Sequence, residues 1–274
     1  MDSAAPPLTV VVPCYNEAAR LDELPLLAFL DGCAEASLLF VDDGSTDATA
    51  ARLTALAARR PARIEVLSLR PNGGKAEAVR RGMLLALGRG PGLVGYLDAD
   101  LSTPPNELLR LRAAFERPGV DAVLGARVAL LGTDIERSAF RHYLGRVFAS
   151  AAAIILQARV YDTQCGAKLF RASPALDAAL ATPFISRWAF DVELLGRLLT
   201  GGPASPPLPL AAIVEVPLAT WHDVGGSKLG PLAMARTLAE LGRIGLDLAA
   251  RRRQGKPAGL AAGKAPGRTA GLPS

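Results

Sequence analysis

Short apolar runs alternate with segments of helical spacing along the first half of the chain. Each run is five or six residues long, which is the usual length of a buried strand. Between the runs, apolar residues recur three or four positions apart, which predicts helices. The predicted strands are 8–12, 37–41, 64–69, 93–97 and 120–125, and the predicted helices are 16–31, 46–59, 74–87 and 104–116. This alternation predicts an α/β fold with a mostly parallel sheet wrapped by helices.

Polar segments follow the first four predicted strands. In open parallel sheets, ligands bind beyond the carboxyl ends of the strands. The loops that leave these ends are therefore expected to line one crevice. They comprise residues 13–17, 42–45, 72–75 and 98–100.

Two carboxylates, Asp98 and Asp100, flank a single alanine directly after an apolar run. Residues two apart in an extended segment point to the same side, and such close like charges repel unless a cation lies between them. Carboxylate oxygens without nearby His or Cys suit Mg²⁺ or Mn²⁺, which also bind substrate phosphates. The alternative is a polar loop in which an Asp caps the helix that follows 102–105.

Gly73, Gly74 and Lys75 begin a predicted helix. They could offer backbone N–H groups, the positive end of the helix and an ammonium group to an anion, although a plain helix cap is the alternative. The segment lacks the first Gly and the Ser/Thr of a Walker A loop. The first strand is not followed by G-x-G-x-x-G, which argues against a dinucleotide-dependent oxidoreductase.

The composition narrows the class of protein. A chain of 274 residues can bury one large core, and its apolar runs are too short to cross a membrane. The N-terminus lacks the pattern of a signal peptide, so we expect a cytoplasmic protein. Three scattered cysteines and two histidines indicate neither a disulfide framework nor a zinc site.

The positive charge is concentrated at the C-terminus. Residues 251–274 contain six basic residues and no acidic ones, so the net charge of +5 becomes −1 for residues 1–250. This Gly-, Ala- and Pro-rich tail is expected to be disordered. It could contact anionic lipid or nucleic acid, or it could remain solvated. The six residues are Arg251, Arg252, Arg253, Lys256, Lys264 and Arg268.

Several motifs together resemble a known family. VVVPCYNE, FVDDGSTDAT, NGGKAEAVRRGM and YLDADLST, in this order, resemble the family 2 inverting glycosyltransferases of GT-A fold. DTQCGAKLFR, WAFDVELL and EVPLATWHDVGGSKL resemble the dolichyl- or polyprenyl-phosphate sugar synthases, and most of all the dolichyl-phosphate β-glucosyltransferase branch. Where this family usually has Lys-Gly, the chain has Lys75-Ala76.

The resemblance implies a domain organisation. A GT-A domain would cover 8–230, with a Rossmann-like nucleotide-binding half and an acceptor half. A flexible N-terminus at 1–7 would precede it, and an amphipathic helix at 231–250 and the basic disordered tail at 251–274 would follow.

The resemblance also implies roles for particular residues. Asp98, Asp100 and Arg127 would be catalytic, and the metal ligands would be Asp98, Asp100 and Ser102. The nucleotide sugar would be bound by Pro13, Tyr15, Glu17, Asp42, Asp43, Lys75, Asp98 and Lys228, and the acceptor by Arg127, Arg137, Arg141 and Gln164.

Some of these side chains have simpler interpretations. Arg137 and Arg141 lie four apart and could form a solvated helix face. Cys14 and Cys165 are expected to be packing residues. Asp191 and Glu193 could brace the acceptor loop or cap and solvate a helix.

The implied reaction transfers a hexose, glucose from UDP-glucose, with inversion to polyprenyl or dolichyl monophosphate. Mg²⁺ or Mn²⁺ would be the cofactor, and nucleic acid is not an expected partner. Apolar helical segments at 137–158 and 232–250 could contact a membrane peripherally, although core packing is the alternative for both. The competing functions are a GDP-mannose-dependent mannosyltransferase, transfer to a soluble acceptor, and a non-catalytic sugar-nucleotide-binding scaffold at the membrane.

Overall fold

The computed structural model describes residues 6–90, 92–128, 134–135, 139–202, 205–222 and 231–254. At 134–135, 139–147 and 231–236 only the course of the backbone is described. Nine strands lie in these ranges: β1 Leu8–Cys14, β2 Ala36–Asp42, β3 Ile64–Ser68, β4 Leu93–Leu97, β5 Ala122–Ala126, β6 Asp134–Ile135, β7 Ala167–Arg171, β8 Ile213–Pro217 and β9 Thr220–Trp221.

Eight α-helices accompany the strands within the same ranges. They are α1 Glu23–Gly32, α2 Thr49–Arg59, α3 Lys75–Leu87, α4 Glu107–Ala113, α5 Ala139–Leu156, α6 Pro174–Leu180, α7 Phe190–Thr200 and α8 Pro231–Gln254. There are also two short 3-10 helices: Ala114–Glu116 follows α4, and Leu210–Ala212 precedes β8.

The main sheet has seven strands in the order β3-β2-β1-β4-β7-β5-β8. Only β7 runs antiparallel to its neighbours β4 and β5, so the predicted mostly parallel α/β sheet is confirmed. Cys14 lies opposite Asp42, which places the ends of β1 and β2 at one edge. Ala167, the first residue of β7, lies opposite Leu97, the last of β4. The loop before β7 therefore reaches the same edge as the loops after β1, β2 and β4.

Helices cover both faces of this sheet, and β1 shows why. Val10 and Val12 face the core beneath α1, α2 and α4, whereas Val11 faces the core beneath α3, α6 and α7. All three side chains are fully buried. Burial of each contributes roughly 1.5–3 kcal/mol. A strand buried on both faces reads as a continuous apolar run, which is why the sequence pattern located it.

The first helix begins later than predicted. It starts at Glu23 rather than residue 16, because Asn16 adopts a left-handed backbone (φ 54°) and Asp22 caps the helix by accepting from the Leu24 N–H at 3.1 Å. The fourth helix likewise starts at Glu107 rather than residue 104. In both places polar residues after a strand form a turn before the helix begins.

Two predictions for the chain ends are wrong in part. Pro7 is held because its carbonyl accepts from Leu93 N at 2.9 Å, so the predicted flexibility does not extend to it. The predicted tail begins inside α8, where Arg251 pairs with Asp247 at 2.6 Å and Arg252 donates to the Ile155 carbonyl at 2.8 Å. Residues 1–5 and 255–274 lie outside the described residues.

Helices α5 and α8 pack against each other and against α7. Ala152 of α5 and Ile244 and Leu248 of α8 are fully buried in this contact, which favours core packing for these faces. Ile154 and Leu246 remain 79% and 75% exposed. In the part of the chain that the structure describes, no helix is both long and apolar enough to cross a membrane.

Candidate active site

The loops after β1 and β2 are joined by hydrogen bonds. Asn16 N donates to Ser45 Oγ at 3.0 Å, and Glu17 N donates to Thr49 Oγ1 at 2.8 Å. The buried Glu17 carboxylate accepts from Arg20 Nη2 at 2.7 Å. These bonds leave Tyr15 47% exposed beyond the end of β1, with Pro13 buried less completely than its neighbours in the strand.

Asp43 binds the turn that begins α3. Its two carboxylate oxygens accept from Gly73 N at 2.8 Å and Gly74 N at 2.7 Å. Of the two interpretations of this turn, an anion site and a helix cap, the bonds favour the cap for these two N–H groups, because an internal carboxylate already occupies the positive end of the helix. Asp42 accepts from Ser45 N at 3.1 Å through one oxygen. Asp43 therefore shapes the turn at the start of α3.

Lys75, the first residue of α3, joins this loop to the end of β4. Its Nζ lies 2.6 Å from Asp98 Oδ1. Burial disfavours the ammonium form, but the nearby carboxylates of Asp98 and Asp191 outweigh it and raise the pKa of Lys75. The lysine is therefore a charged partner of Asp98 at neutral pH.

Asp98 and Asp100 lie on a tight turn after β4. Leu101 has a left-handed backbone (φ 51°), and Asp100 Oδ1 accepts from Ser102 N at 3.0 Å. Asp98 N donates to the Gly166 carbonyl at 2.9 Å. A side chain at position 166 would place its Cβ 2.3 Å from Asp98 Oδ2, so glycine is required for this approach. The loop before β7 is therefore packed directly against Asp98.

The residues of this turn fit a hard divalent cation. Asp98 Oδ1 is buried and accepts no hydrogen bond of ordinary geometry from the described residues, while the ammonium of Lys75 lies beside it. Two carboxylates and the Ser102 hydroxyl offer only oxygen atoms, the donors that Mg²⁺ and Mn²⁺ prefer. The described residues contain no cluster of three or more His, Cys, Asp or Glu side chains that could enclose a metal. Substrate phosphates would have to supply further ligands.

Arg127 lies beyond the end of β5, at the same edge. Its Nε and Nη2 donate to the Asp162 carboxylate at 2.7 and 2.8 Å, and its guanidinium lies 5.3 Å above the Trp221 ring. Burial disfavours its charge, but the bond to Asp162 outweighs this and raises the pKa of Arg127. The sequence prediction located Arg127 but missed Asp162, which holds it.

The segment that carries Asp162 is anchored in turn by β8. Glu215 accepts from the backbone N–H groups of Tyr161 and Asp162, both at 2.9 Å. Asp162 also accepts from Gln164 N at 3.2 Å. The side-chain nitrogen of Gln164 is buried and has no hydrogen-bond partner among the described residues. It is a donor that a ligand could satisfy.

A buried polar cluster lies beneath the carboxylates. Lys168 Nζ donates to Asp191 Oδ1 at 2.7 Å and to the Cys165 carbonyl, and the Tyr96 hydroxyl also donates to Asp191. Burial and then the Asp191 carboxylate raise the pKa of Tyr96 well above its usual value. Lys168 lies in an apolar strand and Asp191 in the first turn of a helix, and this pattern by itself does not show that the two side chains are buried together.

Asp191 and Glu193 are not solvated. Glu193 is completely buried and accepts from Ile185 N at 2.8 Å and from Arg197 at 2.6 Å. The interpretation that these acids brace a loop is therefore favoured over a solvated helix face. The thiols of Cys14 and Cys165 are fully buried, and burial raises both pKa values, that of Cys165 to about 11. Both are packing residues, as expected.

Three predicted site residues are not placed. Arg137 and Lys228 lie outside the described residues, and only the backbone of Arg141 is described, within α5.

The segment before residue 223 packs on the turn after β4, because His222 N donates to the Ser102 carbonyl at 2.9 Å. Glu107 also accepts from Ala219 N and Thr220 N, at 3.1 and 3.2 Å.

Comparison with known sequences assigns the chain to a family. Residues 9–176 match the model of glycosyl transferase family 2, and the chain belongs to that family. It is 32% identical over 251 residues to a dolichyl-phosphate beta-glucosyltransferase of Dictyostelium discoideum, covering 85% of this chain and 72% of that one. It is 29% identical to the polyprenol monophosphomannose synthase of Mycolicibacterium smegmatis, covering 80% of each.

A solved structure shares the fold. Glucosyl-3-phosphoglycerate synthase from Mycobacterium tuberculosis, in complex with Mn²⁺, UDP and glucosyl-3-phosphoglycerate, superposes with a TM-score of 0.60 over 92% of this chain and 80% of that one. Sequence identity is 19%, so the likeness concerns the fold alone. The predicted GT-A fold is confirmed.

Proposed function

We propose that this chain transfers glucose from UDP-glucose to a polyprenyl or dolichyl monophosphate with inversion at the sugar. The observation that carries the proposal is the convergence of Asp98, Asp100, Lys75 and Arg127 at one edge of the sheet. It provides paired carboxylates for a metal–diphosphate and an arginine for a second anion. The names of the relatives from Dictyostelium and Mycolicibacterium support a lipid-phosphate acceptor.

The donor nucleotide would lie over the loops after β1 and β2. Tyr15 is exposed there, and Asp42 can accept from the base. Glu17 and Asp43 would support the donor site without contacting the donor, since the Glu17 carboxylate binds Arg20 and the Asp43 carboxylate binds the start of α3. Lys75 lies between this region and Asp98, where its ammonium can face the diphosphate.

Asp98, Asp100 and Ser102 would hold Mg²⁺ or Mn²⁺ on the donor diphosphate. When bound, such an ion neutralises negative charge that grows on the leaving diphosphate. Lys75 contributes a second positive charge next to the same group, in a partly buried position where electrostatic interactions are less screened than in water.

A lipid monophosphate is anionic near neutral pH, so no side chain has to remove a proton from it. The acceptor half then has to bind and aim an anion. Asp162 takes two of the N–H groups of Arg127, and a guanidinium has five. The remaining N–H groups bond to no other described residue and can face the acceptor phosphate, and Trp221 and Asp162 fix the plane in which they lie. Gln164 can add a neutral donor.

Replacement of Arg127 by lysine is expected to raise the acceptor KM roughly ten- to a hundredfold, because lysine cannot bridge Asp162 and a phosphate with a planar fork. The donor KM should change little. Steady-state kinetics with each substrate varied in turn measures both. The matched control is Arg171→Lys, which alters an arginine paired with Asp121 at the opposite edge. An unchanged acceptor KM would place the phosphate elsewhere, with Arg137 and Arg141 tested next.

The runner-up donor is GDP-mannose, which the mannose in the name of the Mycolicibacterium relative favours. A panel of radiolabelled sugar nucleotides, incubated with the protein, Mn²⁺ and polyprenyl phosphate, separates the two. Label in the lipid phase from UDP-glucose alone supports the proposal, and label from GDP-mannose alone would make GDP-mannose the donor.

A non-catalytic scaffold is disfavoured because Asp98, Asp100 and Lys75 are all present. Action on a lipid acceptor also implies peripheral contact with the cytoplasmic face of a membrane.

A further inference from the structure

The loop between α6 and α7 exposes apolar side chains. Trp188 is 62% exposed and Ile185 is 39% exposed. Residues 181–188 contain one charged side chain, that of Arg187, and no acidic one. The neighbouring Ala189 and Phe190 are completely buried and fill the core at this point. The exposed Trp188 side chain therefore does not contribute to core packing.

This loop is held rigidly. Ser186 Oγ accepts from Trp188 N at 3.2 Å and from Ala189 N at 2.7 Å, and it donates to Glu240 of α8 at 2.5 Å. Glu193 accepts from Ile185 N at 2.8 Å. The exposed side chains are therefore displayed on a fixed backbone, which reduces the entropy lost when a partner covers them.

The loop lies at the active-site edge of the sheet. Arg187 Nε donates to the Gly73 carbonyl at 3.1 Å, and Arg187 Nη2 donates to Asn72 Oδ1 at 3.1 Å. A Cβ on Gly74, whose φ is +88°, would lie 2.6 Å from Arg187 Nε, so glycine permits this contact. The next residue is Lys75, the partner of Asp98. Trp188 thus sits on the rim of the crevice.

We infer that Ile185 and Trp188, with Arg187 between them in the loop, form a contact with the lipid surface that presents the acceptor. The inference rests on the proposed function, because a polyprenyl phosphate is anchored in a membrane and its phosphate has to reach Arg127. Tryptophan favours the boundary between lipid and water, where its ring is buried and its N–H stays wet. Arg187, without a neighbouring acid in the loop, complements anionic headgroups.

The chain offers a direct spectroscopic test, because its only two tryptophans are Trp188 and the buried Trp221. In Trp221→Phe, emission comes from Trp188 alone. We expect vesicles of phosphatidylcholine and phosphatidylglycerol to shift this emission to shorter wavelength and to protect it from acrylamide. Trp188→Phe, in which only Trp221 emits, is the matched control and should show neither change.

A second measurement asks whether the loop contributes to binding. Replacing both Ile185 and Trp188 by serine should weaken vesicle sedimentation roughly tenfold or more, because the buried apolar area is lost. Leu210→Ser, at a half-exposed leucine before β8 at the opposite edge, should bind like the wild type. Melting temperatures should match, since all three side chains are exposed.

Three results would overturn the inference: wild-type protein that does not sediment with the vesicles, vesicle binding that leaves Trp188 emission unchanged, or an emission shift caused by UDP-glucose without lipid. The last result would assign Trp188 to the donor. The proposed function is judged separately, by transfer to a short water-soluble polyprenyl phosphate, which does not require a membrane.

Discussion

Asp100→Asn is expected to fold normally and to lower kcat/KM for hexose transfer by about 10²–10³-fold, the usual effect of removing one preorganised electrostatic partner of a developing charge. Asp100 accepts from Ser102 N on the turn after β4, next to Asp98, whose Oδ1 is buried. An asparagine keeps the shape of the turn and loses the charge that the cation requires. Asp98→Asn should be at least as severe, because it also removes the partner of Lys75.

Calorimetric titration with Mn²⁺ in the presence of UDP provides a readout independent of turnover, and both variants should bind the ion much more weakly. Asp121→Asn is the matched control, since Asp121 is a carboxylate at the opposite edge, paired with Arg171 at 3.2 Å. The metal role would be refuted by full turnover in excess chelator or by an active double variant at Asp98 and Asp100.

Lys168→Met is expected to reduce the free energy of unfolding by about 3–5 kcal/mol, because it leaves the buried Asp191 carboxylate without its ionic partner. Lys168 is completely buried, and its ammonium lies 2.7 Å from Asp191. Asp191→Asn should have a similar effect, since the buried ammonium of Lys168 then has neutral acceptors but no counter-charge. Urea denaturation of the two single variants measures both changes.

The double variant, Lys168→Met with Asp191→Asn, removes both charges and should be more stable than the sum of the single losses predicts. Arg89→Met, which breaks an exposed pair with Glu65, serves as the control and should cost less than about 1 kcal/mol. If the single and double variants were simply additive, the two side chains would not act as a buried pair.

Much of the fold and of the candidate site could be predicted from local pattern. A strand buried on both faces forms a continuous apolar run, and in a parallel sheet the polar residues after such runs must meet at one edge. That reasoning placed Asp42, Lys75 and Asp98 together. It misplaced the start of α1, because Asn16 has a left-handed backbone and bonds to Ser45 in the loop after β2, and the helix begins only after the local cap at Asp22.

The supporting residues could not be predicted in the same way. Asp162, Glu215, Lys168 and Asp191 act through partners far away in the chain, and their contacts exist only because β7 inserts antiparallel between β4 and β5. A lysine within a strand or an acid in the first turn of a helix has ordinary solvated interpretations. The use of the Gly73 and Gly74 N–H groups by Asp43 is equally a property of the folded loops.

The most direct test of the proposed reaction compares two acceptors under identical conditions. Purified protein is incubated with Mn²⁺ and UDP-glucose labelled in the sugar, together with either polyprenyl phosphate or the same polyprenol without its phosphate. The proposed site binds an anionic acceptor through Arg127 and needs no group to remove a proton from it. We therefore expect label in the organic phase only with polyprenyl phosphate and not with the polyprenol. Mild acid should release free glucose from the labelled product. Equal labelling of the alcohol, or no labelling of the phosphate with any sugar nucleotide, would contradict it.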